Sequence, residues 1–172
     1  MAEAARKSWW KIAILAVVAI EIFGGLSGWL SNSGFGNPWF DSLIKPTFMP
    51  PGAAFGIVWP ILYALLGISV AMILAEPSSD RRSLGLSLFF IQLVLNFAWS
   101  PLFFAAHDIR LAKIVIFLMA AIAAAAAGQF YRLRKAAGLL LVPYILWLVF
   151  AATLNATIES LNPGAGTSIL GF

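Results

Sequence analysis

The sequence predicts an all-α integral membrane protein, a single bundle of five transmembrane helices spanning residues 1–172 as one domain. Two observations carry that expectation. Sixty-two per cent of the 172 residues are hydrophobic, only 10% are charged, and the mean hydropathy is +0.93. Apolar runs of the ~20 residues needed to cross a hydrocarbon core recur along the chain. A third observation separates helix from barrel: no segment alternates apolar and polar residues over ten positions, as a membrane strand would. The spans are expected at about 8–30, 53–75, 84–106, 111–131 and 136–161, with a loop at 31–52.

The first span carries Glu21 inside an otherwise apolar run. An ionisable group there costs at least ~2.5 kcal/mol unless protonated, paired or wet, so Glu21 is either a functional group or a protonated partner in a cross-bundle hydrogen bond. Gly24 and Gly28 form a GxxxG face suited to close helix approach. The basic residues ahead of an apolar core also resemble a secretory signal, but Glu21 and the glycine face favour an uncleaved helix.

The loop and second span, WFDSLIKPTFMPPGAAFGIVWPILYALLGIS from Trp39, are the most informative stretch. Pro46, Pro50 and Pro51 restrict their own φ and push the preceding residues toward extended backbone, which predicts a shaped lid holding Trp39, Phe40 and Phe48. Phe55, Trp59 and Tyr63 follow at i, i+4 and i+8 on one helix face. Lid and helix together predict a covered aromatic pocket; helix packing alone would account equally well for any one of these rings.

The third span places Gln92, Asn96, Trp99 and Phe103 on one face, and the fifth places Tyr144, Trp147, Ala151 and Leu154 or Asn155 similarly. Interhelical hydrogen bonding is the expected task of Gln92 and Asn155, whereas Asn96 is equally suited to a pocket. Pro60, Pro101 and Pro143 should each weaken a helix hydrogen bond and release the carbonyls of Gly56, Phe97 and Leu139. The fourth span is alanine-rich at 120–127, a smooth surface for close packing or for a dimer.

Eight of the 11 basic residues (Arg6, Lys7, Lys11, Arg81, Arg82, Arg132, Arg134, Lys135) fall at one end of the bundle, and Lys45, Arg110 and Lys113 at the other. In a bacterial inner membrane this split predicts a cytoplasmic N-terminus; an outer membrane would leave the orientation open. The net charge of +4 therefore reports topology, and no nucleic-acid partner is expected. With no cysteine, disulfides, thiolate metal sites and cysteine nucleophiles are excluded. The lone His107 lacks companions for a metal shell and reads as an interfacial residue, so no metal site is predicted. No P-loop, nucleophile elbow or carboxylate pair points to catalysis. Residues 164–171 follow no pattern.

The stretch from Trp39, QLVLNFAWSPLFF from Gln92 and VPYILWLVFAATLNATIESLN from Val142 closely resemble the TspO/MBR family, the tryptophan-rich sensory or translocator proteins, also called peripheral-type benzodiazepine receptors. The resemblance runs from the first span to Asn162. It implies a five-helix, usually homodimeric membrane receptor with a pocket beneath the first long loop for porphyrins such as protoporphyrin IX, with no cofactor required. Trp59, Trp147 and Asn96 match the family's pocket residues, and Pro50, Phe55, Tyr63, Trp99, Phe103 and Ala151 fall at other pocket positions. Phe40 stands where members often have Tyr, and Phe48 where Trp is frequent. The sterol motif of mitochondrial members is absent after Trp147, leaving sterol binding unsupported. Lys45, the one basic residue of the loop, is expected to contact porphyrin carboxylates. The resemblance also makes a carrier of porphyrins or other lipophiles thinkable, or light- and oxygen-dependent porphyrin breakdown at Trp59 and Trp147.

Overall fold

In the computed structural model, which describes residues 9–169 and Gly171, five helices are long and apolar enough to cross a membrane: Trp9–Leu30, Gly52–Leu74, Asp80–Ala105, Ile109–Leu133 and Lys135–Leu161. The chain folds as the all-helical five-span bundle expected. Position 8 and the charges of Arg6 and Lys7 lie outside the described residues.

In chain order the elements are α1 (Trp9–Leu30), the one-turn α2 in the loop (Pro38–Ser42), α3 (Gly52–Leu74), α4 (Asp80–Ser100) running on into a π-helical turn (Pro101–Ala105), α5 (Ile109–Leu133), α6 (Lys135–Leu140) and α7 (Val142–Leu161). Their ends are set by local chemistry. Asn37 caps α2, its Oδ1 accepting from Phe40 N at 3.1 Å, with Pro38 in the first turn where a missing N–H costs nothing. Ser79 and Asp108 cap α4 and α5 in the same way, accepting from Arg82 N and Leu111 N. The Arg82 side chain also reaches back to donate to Ile73 O and Leu74 O, both at 3.0 Å, so the orphan carbonyls ending α3 are met by a cation.

The helices form a ring. α1 packs on α3, α3 on α6 and α7, α7 on α5, α5 on α4, and α4 closes back on α1. The α1–α3 seam is tight because Gly67 lies against the Val17 backbone: a Cβ there would stand about 2.7 Å from Val17 Cα and N. In lipid, where apolar side chains gain nothing by leaving solvent, such close approach drives association.

The three prolines act differently from one another. Pro60 stays within α3. Pro101 opens the π turn, in which Ala106 N donates to Pro101 O at 2.8 Å; the Phe97 carbonyl, which loses its helical donor to the proline, accepts instead from Ser27 Oγ of α1 at 2.5 Å. Pro143 does not kink a continuous helix as expected. The helix breaks at Leu141, and Pro143 sits in the first turn of α7.

The end of the bundle away from the loop is densely filled. Leu66, Ile73, Phe89, Phe130, Leu141 and Leu148 are all within 2% of full burial, and Phe89 and Phe130 stack with centroids 5.7 Å apart. Arg134 joins this end together, 3.8 Å from Glu76 and over the Trp9 ring.

Candidate functional site

Under the loop the ring of helices encloses a cavity of about 520 Å³. α1 lines it with Glu21, Gly24, Gly25 and Gly28, α3 with Phe55, Trp59 and Tyr63, α4 and its π turn with Asn96, Trp99, Phe103 and Phe104, α5 with Ile116 and Met119, and α7 with Trp147, Ala151 and Asn155. Phe35, Phe40 and Met49 of the loop cover it. Of the residues singled out from the sequence, Phe40, Phe55, Trp59, Tyr63, Asn96, Trp99, Phe103, Trp147 and Ala151 are brought to this one space.

Its walls are aromatic by design of the helix repeat. Trp99 and Phe103, one turn apart, stack at 5.1 Å and 18°; Trp59 and Tyr63 do so less regularly at 5.2 Å. Across the ring, Phe55 meets Trp147 edge-on at 5.7 Å. Trp147 also borders an apolar groove on the lipid side between α3 and α7, with Pro50, Leu62, Pro143 and Phe150. One indole thus stands between cavity and bilayer.

A polar ladder closes the inner end. Tyr63 Oη donates to Asn96 Oδ1 at 2.9 Å, Asn96 Nδ2 to Tyr144 Oη at 3.0 Å, and Tyr144 Oη to Gln92 Oε1 at 2.7 Å. Asn96 therefore serves both roles open to it: it ties three helices and faces the cavity. Asn155 Nδ2 donates to Ile109 O at 3.0 Å, joining α7 to α5. Among the described residues the indole Nε1 atoms of Trp99 and Trp147 and Asn155 Oδ1 are buried without a partner, and all three residues line the cavity. Buried donors and acceptors are normally satisfied, so these atoms mark where a ligand's polar groups have most to gain.

Three residues lie elsewhere. Pro50 borders the lipid-side groove. Trp39 stacks on His107 at 4.2 Å and donates from Nε1 to Ala165 O at 3.1 Å, outside the cavity; His107 is thus packed rather than merely interfacial. Lys45 turns back on its own loop, its Nζ donating to Phe40 O, Asp41 O and Leu43 O at 2.6–3.1 Å and lying 4.6 Å from the Phe40 ring centroid. Its three donors are spent on fixing α2.

Several lining residues were not singled out. Ile116 and Met119 continue an inward stripe with Ala112 and Ala123, a signal readable as core and not as pocket. Gly24 and Gly28, the face suited to close helix approach, also line the cavity. Gly24 faces the Tyr63 ring, which occupies the space a Cβ would need, and Gly28 lies against Ser33 Oγ of the loop.

The chain is thus a multi-pass membrane protein, a five-helix bundle whose loop covers a cavity lined by tryptophans. The sequence matches the TspO/MBR family over residues 13–161. It is 37% identical over 155 residues to "Translocator protein" of Sus scrofa, covering 87% of this chain and 92% of that one. It is 38% identical over 150 residues to "Tryptophan-rich protein TspO" of Archaeoglobus fulgidus (87% and 94%), and 34% identical over 127 residues to "Protein CrtK" of Rhodobacter capsulatus (73% and 79%). The chain belongs to the TspO/MBR family.

Proposed function

We propose that this protein is a membrane receptor or sensor that binds a tetrapyrrole, of which protoporphyrin IX is the first to test, in the cavity under the 31–52 loop. The observation that carries the reading is the convergence of Trp59, Trp99 and Trp147 from three helices on one covered space of about 520 Å³. That volume suits a small-molecule ligand, and indole faces suit a flat, apolar ring. Glu21 is the one charged residue among those lining the cavity, so the macrocycle enters ring-first and leaves its carboxylates near the loop and water.

The receptor works as a homodimer, with the exposed Ala121, Ala124 and Ala125 of α5 allowing close approach of a second copy. It lies in a bacterial inner or outer membrane, in the former with the Arg81, Arg132 and Arg134 end cytoplasmic.

The test is equilibrium titration of the purified protein in lipid nanodiscs with protoporphyrin IX, read by tryptophan fluorescence, beside porphyrin flux into proteoliposomes. Saturable quenching at micromolar concentration without flux supports the receptor. Flux would favour a carrier, a reading to which the position of Trp147 between cavity and lipid-side groove lends itself. A flat response across tetrapyrroles refutes both.

A further inference from the structure

The residues after α7 had no role in the sequence, yet in the structure they bind the loop that covers the cavity. Asn162 holds Ile44 as a strand partner would: Ile44 N donates to Asn162 Oδ1 at 2.7 Å, and Asn162 Nδ2 donates to Ile44 O at 2.8 Å. The same Nδ2 lies 2.7 Å from Ile158 O in the last turn of α7, so the loop is tied directly to a helix end. Three residues on, Ala165 O accepts from Trp39 Nε1.

Beyond that the segment is itself anchored. Thr167 N donates to His107 O at 3.0 Å and Thr167 Oγ to Ala106 O, while Ile169 N donates to Asp108 Oδ2 at 2.8 Å. His107 has φ +58, a left-handed corner that histidine adopts more readily than most non-glycine residues, and its carbonyl serves the segment while its ring stacks under Trp39. The segment therefore runs from α7 across the loop to the α4–α5 corner.

Trp39 lies within α2 and Ile44 two residues beyond its end, on either side of Phe40, which covers the cavity. The loop cannot lift Phe40 off the cavity without breaking the bonds at Trp39 and Ile44. Those bonds lie at the exposed end of the bundle, where water competes and each is modest, which suits a closure that must also open.

We propose that residues 162–169 are a strap that positions the loop, with Asn162 as its main positioning residue, and that the strap sets how fast a ligand enters and leaves the cavity. The rate statement rests on the receptor reading above; the strap itself does not.

Two variants test it: Asn162→Ala, which removes the Ile44 pairing, and a chain ending at Gly164, which keeps Asn162 as the cap of α7 and removes Ala165 and Thr167. Amide hydrogen exchange of residues 39–44 should accelerate about tenfold in each, given modest net hydrogen bonds, with exchange at 66–74 unchanged. Stopped-flow quenching by protoporphyrin IX should show association and dissociation both faster, with their ratio preserved within about twofold, since the cavity walls are untouched. Loop exchange at the wild-type rate in both variants would overturn the strap. Faster loop exchange with unaltered porphyrin rates would overturn its control of access. If protoporphyrin IX fails to bind the wild-type chain, the receptor reading falls and loop exchange alone decides the strap.

Discussion

The two ends of this bundle are built on opposite rules. Away from the loop, side chains fill the ring: Phe89 and Phe130 stack, Ser69 Oγ donates to Ala137 O at 2.8 Å, and Tyr144 is fully buried with hydrogen bonds on both sides. Under the loop, the same five helices leave a cavity of about 520 Å³ and, among the described residues, two indole N–H groups without partners. The filled end holds the helices at a fixed separation so that the open end can remain open. In a membrane, where packing and interhelical hydrogen bonds supply the association, a cavity needs such a buttress.

The largest effect should come from breaking the filled end. Phe89→Ala removes a fully buried ring and should cost about 3–5 kcal/mol of stability, measured as a fall in the unfolding midpoint in detergent, with ligand binding lost alongside. Tyr144→Phe is the sharper version. It keeps the ring and deletes the hydroxyl between Asn96 and Gln92, leaving buried amide groups unsatisfied at about 1–3 kcal/mol.

Changes at the open end should separate binding from folding. Trp59→Phe and Trp147→Phe should each leave the melting temperature nearly unchanged and weaken protoporphyrin IX by about 0.5–1.5 kcal/mol, the worth of an aromatic pair. Illuminating the porphyrin-loaded protein in air then tests photochemistry. Bleaching in wild type that is lost in the double variant assigns it to these indoles; no bleaching in wild type retires porphyrin breakdown.

The smallest effect belongs to Lys45. Because its ammonium is occupied by three backbone carbonyls, Lys45→Gln should loosen α2 and weaken a dicarboxylate porphyrin and a neutral ligand of similar size equally, by less than about tenfold. Selective loss of the dicarboxylate would return Lys45 to the role its position in the sequence suggests.

That residue shows where sequence reading stops. A basic group beside a proline in a loop is visible in the chain; that it folds back onto Phe40 O is a tertiary fact. The spans were legible because length and hydropathy alone specify them, and Phe55, Trp59 and Tyr63 because helical spacing puts them on one face. The ring order of the helices was not, since no single helix's periodicity says which neighbour it faces. For the same reason Gly24 advertised close packing without saying that Tyr63 was the partner. Pro143 announced a disruption, but only the structure distinguishes a kink from the break at Leu141. The strap was invisible because its bonds join scattered side chains, Asn162, Trp39, Thr167 and Asp108, to backbone groups with no periodicity to announce them.

The most direct test of the central claim, that the aromatic cavity is the ligand site, fills the cavity and leaves the buttress alone. Ala151 lines the space from α7, and Ala151→Phe would occupy it. Titrating wild type and Ala151→Phe side by side with protoporphyrin IX should give saturable quenching in wild type and at least about tenfold weaker binding in the variant, at an unchanged melting temperature. Indistinguishable titrations of two equally stable proteins would place the ligand elsewhere and contradict the account.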